Sequence, residues 1–255
     1  MPKLIKIFLT GIILTATIHA KEIKNISEAI NISGKQRMYT QRMMRDYAMI
    51  GMENNYKNPK KDLQNIVNDF EDSLDSLIEF NTEKNTEKAL LDVKEDWEPI
   101  KKVLFEKATK ENAKSLQEDL ETLLSKSNKA VILFTKQSKK KAGEIINISG
   151  RQRMLSQRMA SLYLLKSWGI SDSKFRIRMD ESMKIYKDSL KRLKECKINT
   201  TVINMLLKDA ERNFTFFEVM NKSEGVFIPT LIFKKSDKML KDMDEVTKLY
   251  TKIIK

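Results

Sequence analysis

The apolar residues of this chain fall into two regimes. From Ile7 to Ile18 they follow one another almost without a break, whereas from Lys21 onward they recur in stripes among lysines, glutamates and serines. Stripes of that kind belong to helices with one buried face. In the first half, the pattern and its interruptions predict helices over about 23–52, from Pro59 to near Phe80, over about 90–107 and over about 112–136. The breaks are "ENNYKNP" and "NTEKNTE", and Asn58-Pro59 is a suitable N-cap and first-turn pair for the second helix. The second half breaks at "WGISDS", "KINT" and "SEGVFIP", where Gly225 and Pro229 are the clearest stops. Four helices with short links are most economically an up-down-up-down bundle. The expected fold class is therefore all-α, with two tandem four-helix-bundle modules.

The halves share more than rhythm. "INISGKQRMYTQRM" begins at Ile30 and "INISGRQRMLSQRM" at Ile146, an offset of 116. The same offset carries the "DSL" at Asp72 onto that at Asp188, Phe70 onto Tyr186, and Phe134-Thr135-Lys136 onto Tyr250-Thr251-Lys252. A register held without a gap at three distant points indicates duplication of a whole unit, with boundaries near 22–138 and 138–255. The junction "KQSKKKAGE" is polar on all sides. It is compatible with a turn that folds one unit back against the other, or with an exposed stretch of one long helix joining stacked bundles.

Composition narrows the setting. Seven glycines and four prolines in 255 residues suit long helices and suit a β-sandwich poorly. Residues 1–20, with two lysines, a short apolar stretch and Ala20, have the layout of a secretory signal peptide, which predicts a periplasmic protein starting near Lys21; the alternative is an uncleaved N-terminal anchor. Loss of Lys3 and Lys6 would lower the formal charge from +13 to +11. Export, and the even scatter of lysine among acids, argue against nucleic acid as a partner. Cys196 is the single cysteine, and His19, the single histidine, lies in the leader. No internal disulfide, His-ligated metal or His-based catalytic pair is expected, nor any cofactor, and the chain reads as a non-enzyme.

The repeated phrase is where chemistry concentrates. Six of the ten arginines lie in or beside it, although lysine supplies the surface charge elsewhere. On a helix, Ser33, Gly34, Arg37 and Gln41 share one face, as do Ser149, Gly150, Arg153 and Gln157. A mid-helix glycine costs ~1 kcal/mol relative to alanine but permits close approach of a backbone or ligand. A guanidinium presents a planar fork of donors that fits a planar oxyanion, and the phrase contains no acid. The missing counter-charge comes either from a bound anion or from acids on neighbouring helices, with Asp72 and Asp188 as candidates. Arg42 and Arg158 point about 140° away from Arg37 and Arg153 and read as ties between helices. Met38, Met43, Met44, Met154 and Met159 read as core packing rather than a thioether metal site.

"INISGRQRMLSQRM" resembles the N-terminal motif of the PilJ-type sensor domain, the N-terminal domain of type IV pilus methyl-accepting chemotaxis transducers. It resembles more distantly the motif of nitrate/nitrite sensor histidine kinases. The resemblance implies periplasmic four-helix sensor modules. In the nitrate sensors two modules pair, and their first helices grip one nitrate between symmetry-related arginines near a glycine. The matching positions are Arg37 with Gly34 and Arg153 with Gly150. Side-by-side units would imitate that pair within one chain, as an internal pseudo-dimer, whereas stacked units would need a homodimer. The expected ligand is a small anion, nitrate or nitrite first, with Ser33, Ser149, Gln41 and Gln157 as polar support. The sensors continue into kinase or chemoreceptor parts that this sequence does not show, so relay through a membrane-bound receptor or kinase is expected. The alternative is a ligand-free helical module that docks on a pilus or chemoreceptor component.

Overall fold

The computed structural model describes residues 22–138, 141–222 and 227–253, with the backbone alone at 141 and 142. The expected leader, the tip of the junction and Gly225 lie outside them. The described residues form helices and connecting segments without strands, so the all-α reading holds. The helices are α1 (Ile26–Gly51), α2 (Pro59–Phe80), α3 (Lys84–Phe105), α4 (Lys110–Gln137), α5 (Lys141–Ser167), α6 (Ser173–Lys194), α7 (Thr201–Lys222) and α8 (Pro229–Ile253). None of them is long and apolar enough to cross a membrane.

Asn58 caps α2 as its sequence suggests, accepting from the Lys61 backbone N–H at 3.2 Å ahead of Pro59. One boundary differs from expectation. α3 begins at Lys84, so most of "NTEKNTE" is helix rather than loop. A polar first turn needs no apolar stripe, and Thr86 and Ala89 already turn inward there.

Within the first half, α1 meets α2 through Gln36 and Phe70 at one level and Arg42 and Asp62 at another, so the two run antiparallel. α1 and α4 are likewise antiparallel, with Arg37 bonded to Asn128 and Gln41 to Glu121. The second half repeats the construction with the sequence offset intact. Gln36 Nε2 donates to the Phe70 carbonyl at 2.9 Å, and Gln152 Nε2 to the Tyr186 carbonyl at 3.2 Å. Phe134 and Tyr250, which share that offset, are both fully buried.

The largest helix–helix interface joins the halves, α1 against α5. Arg37 meets Asn147 and Arg153 meets Asn31, while one level along the helices Arg45 meets Gln157 and Ser161 meets Gln41. These reciprocal pairs make the two helices parallel and related by a pseudo-two-fold axis. Because α4 opposes α1, the chain must reverse between α4 and α5. Of the two junction readings, the directions of the described helices agree with the one that folds one unit back against the other. At the far end of the seam a Cβ on Gly51 would overlap the Trp168 indole, which sets how closely the two ends pack.

Both seam helices terminate alike. The Asn54 N–H reaches the Met49 carbonyl and the Ile170 N–H reaches that of Leu165, each at 2.9 Å. This six-to-one closure needs a left-handed residue just inside it. The second half places Gly169 there at φ +81°; the first places Glu53 at φ 56°. A side chain in that conformation costs about 1–2 kcal/mol, against about 0.5–1 kcal/mol of extra backbone entropy lost by glycine. Glu53→Gly is expected to raise stability by about 0.5–1 kcal/mol, measured by urea denaturation. A loss would mean that the Glu53 side chain holds the turn.

Candidate functional site

α1 and α5 each touch three or more helices, so their middles are buried on nearly every side, and polar residues there must find partners inside the protein. Arg37 and Arg153 are both fully buried. Arg37 Nη1 donates to Asn128 Oδ1 at 2.7 Å, and its Nη2 to Asn147 Oδ1 at 2.9 Å. Arg153 Nη1 donates to Asn31 Oδ1 at 2.8 Å and to Asp244 Oδ1 at 2.7 Å, and its Nη2 to the Asn31 carbonyl at 3.0 Å. The Nε of each finds no acceptor among the described residues.

The two guanidinium ends occupy the space that the glycines leave. A Cβ on Gly34 would lie 3.2 Å from Arg153 Nη2 and 3.5 Å from Arg37 Nη2; one on Gly150 would lie 3.1 and 3.8 Å from the same atoms. Both cations therefore converge on one spot in the seam. Four of the sequence-predicted site residues, Arg37, Arg153, Gly34 and Gly150, come together here.

The charges at this spot do not balance. Asn128 and Asp244 are related by the offset of 116, so the second half supplies a carboxylate where the first supplies an amide. Asp72 and Asp188, the acids expected from sequence, are not the partners. Burial would raise the Asp244 pKa, but Arg153, followed by Lys35 and Lys248, holds it down to about 2. Arg37 has no such neighbour. Burial first, then repulsion from Arg151 and Arg153, pushes its pKa down to about 9. It is still a cation at neutral pH, and it lies in a low-dielectric seam without a carboxylate of its own.

A family model described as the type IV pili methyl-accepting chemotaxis transducer N-term, PilJ, matches residues 19–125 and 134–202. The chain belongs to the PilJ family. No curated protein and no solved structure matches it. The matched residues include both copies of the repeated phrase and hence both halves of the arginine seam.

The remaining predicted residues of this PilJ-type chain lie around that spot. Ser33 and Ser149 are buried, but their hydroxyls donate back to the carbonyls of Ile30 and Ile146 at 3.2 and 3.0 Å. Gln41 and Gln157 belong to a second polar layer about one helical turn further along and do not reach the guanidinium ends. Gln41 bonds to Glu121, while Gln157 donates to the Ser236 carbonyl and accepts from Arg45. In the same layer Arg158 pairs with Glu121 of α4, and Arg42 grips Asp62 of α2 at 2.7 and 2.9 Å, as expected of ties between helices. The five methionines in or beside the phrases are buried in the core. Among the described residues no group of three His, Cys, Asp or Glu side chains is placed to hold a metal.

Sequence reasoning missed Asn31 and Asn147, which stand inside the phrase itself and hold the opposing arginine in each case. It also missed the role of Arg45. This fully buried guanidinium contacts Asp46, Asp62 and Asp237 at 2.6–2.8 Å and lies 3.9 Å from the Phe233 ring centre. Its counterpart across the duplication is Ser161, so the repeat gives no hint of it. Asp46 is the buried acid of this cluster. Burial first, and then Asp62 beside it, push its pKa up to about 8 against the pull of Arg45.

That shift has a definite sign. The folded protein keeps the Asp46 proton up to about pH 8, while the unfolded chain releases it near 3.8. The stabilisation is whole below 3.8, declines as pH rises, and is lost above about 8. Asp46→Asn preserves the donor toward Asp62 and the acceptor toward Arg45 without a titratable proton. The melting temperature of the wild type should fall relative to that of Asp46→Asn between pH 4 and 8. Parallel melting curves over that range would show that Asp46 is ionised in the fold.

Proposed function

We propose that this PilJ-type chain is an exported, non-enzymatic sensor module built of two units, near 22–138 and 138–255. It takes one small oxyanion, nitrate or nitrite first, between Arg37 and Arg153. The observation that carries the reading is the charge count in the seam: two buried guanidiniums converge beside two glycines, and the protein contributes one carboxylate, Asp244. One monoanion would supply the missing charge and meet the free Nε donors. Gly34 and Gly150 make room for the two guanidinium ends that would hold it, with Ser33 and Ser149 buried beside them and Gln41 and Gln157 in the polar layer one turn further along. The bound anion would fix the spacing of α1 and α5, and a membrane-bound receptor or kinase would read that spacing from the periplasm.

A second reading has its own support. Arg42, Arg45, Arg153 and Arg158 all have acidic partners, as they would in a packing seam that serves a ligand-free module docking on a pilus or chemoreceptor component.

Thermal shift and calorimetry on the full chain separate the two. The panel comprises nitrate, nitrite, chloride, sulfate and small carboxylates, against the wild type, Arg37→Ala, Arg153→Ala and Asp244→Asn. An anion at a hundred times its dissociation constant stabilises the fold by ~2.7 kcal/mol, which is several degrees. Nitrate or nitrite should do so in the wild type, sulfate should not, and both arginine variants should lose the response. Asp244→Asn, which leaves a second cation unmatched, should bind the monoanion more tightly and begin to respond to sulfate. No response to any anion would leave the docking module as the reading.

A further inference from the structure

Where α5 turns into α6, the ends of α5, α6 and α7 enclose a cavity of about 340 Å³, within the size range of small-molecule sites. Its floor is apolar: Leu162, Phe175 and Met179 are buried, and Met220 packs beside them. Two cations stand on its rim, Lys166 and Arg176, both exposed and neither paired with an acid among the described residues. Among the described residues the rim has one carboxylate, Asp172, and it is committed elsewhere. It binds Lys114 at 3.1 Å and caps the Lys174 backbone N–H at 2.9 Å.

The duplication supplies a control. The first half has a cavity in the equivalent place, where Tyr47, Lys60, Leu63 and Leu104 correspond, 116 residues earlier, to Tyr163, Arg176, Met179 and Met220. There the rim is balanced, with Glu53 and Glu106 against Lys60 and Lys107. In the second half Gly169 replaces Glu53 and Lys166 replaces Ile50, so an acid is removed and a cation added at the same spot. The hollow is common to both halves, whereas among the described residues a cationic rim over an apolar floor belongs to the second.

We propose that the cavity of the second half binds a small amphipathic monocarboxylate. The apolar body rests on Leu162, Phe175, Met179 and Met220, and the carboxylate lies between Lys166 and Arg176. The site is separate from the arginine seam: Leu162 is nine residues beyond Arg153 on α5, roughly 14 Å along the helix. It does not depend on what the seam binds.

Calorimetric titration of the full chain with phenylacetate, hexanoate and indole-3-acetate tests this, with phenylacetamide and acetate as probes lacking the charge or the apolar body. At least one of the three carboxylates should bind, with phenylacetamide and acetate weaker by about tenfold or more. The doubly substituted Lys166→Gln/Arg176→Gln chain should lose affinity by a similar factor. Both residues are exposed, so its fold should hold, and its melting temperature checks that. Met220→Trp should block binding by filling the cavity, and Arg37→Lys should leave it unchanged. Failure of all three carboxylates to bind would overturn the proposal, as would equal binding of phenylacetamide. A loss confined to Arg37→Lys would overturn it too, because the heat would then come from the seam.

Discussion

Burying a guanidinium costs several kcal/mol unless its donors and its charge are met, and this protein buries three of them along a single helix–helix seam. Most of the architecture around α1 and α5 answers that demand. Asn31 and Asn147 reach across the pseudo-two-fold axis to hold the opposing arginine. α4 and α8 deliver Asn128 and Asp244 from the outside. One turn further along, three aspartates from α1, α2 and α8 surround Arg45. The helices of each half are therefore arranged around polar groups on α1 and α5 as much as around an apolar core, and the outer helices serve as carriers of counter-charge.

The two halves meet that demand with different residues. Arg42 finds Asp62 on its own neighbouring helix, but the residue equivalent to Asp62 in the second half is Arg178. Arg158, the counterpart of Arg42, accordingly reaches Glu121 of α4, and Arg178 reaches Glu118 of the same helix. A charge reversal on α6 thus changes a tie within one half into ties between the halves. On the opposite side Asp237 of α8 answers with Arg45 and Lys57. The backbone plan is near-symmetric, while the electrostatics are directional.

Much of this was legible in the sequence where a local rule applied. Asn58-Pro59 marked the start of α2 because capping is decided within a few residues. The 116-residue offset held in space because each copy of the phrase faces its twin. The convergence of Arg37 and Arg153 followed from the phrase together with the side-by-side choice, which the polar junction alone left open. The start of α3 was missed because a polar first turn has no hydrophobic rhythm to detect. Asp244 and Asp237 were missed for a different reason. They lie about 90 and 190 residues from the arginines they serve, on a helix whose charges look solvated in one dimension. Arg45 is one of the arginines beside the phrase, but nothing in the sequence marks it as the centre of a cluster, since its duplicate is a serine.

The chain reversal between α4 and α5 has a consequence for how such a site behaves. When two separate chains build a shared pocket, its occupancy depends on how much protein is present, and identical chains must contribute identical walls. Here covalent continuity fixes the local concentration of each half at the other's surface, so the seam assembles at any dilution. It also lifts the constraint of equivalence, because a substitution in one wall is no longer copied into the other. Asn128 facing Asp244 is such a difference, one that a homodimer with a single gene cannot write.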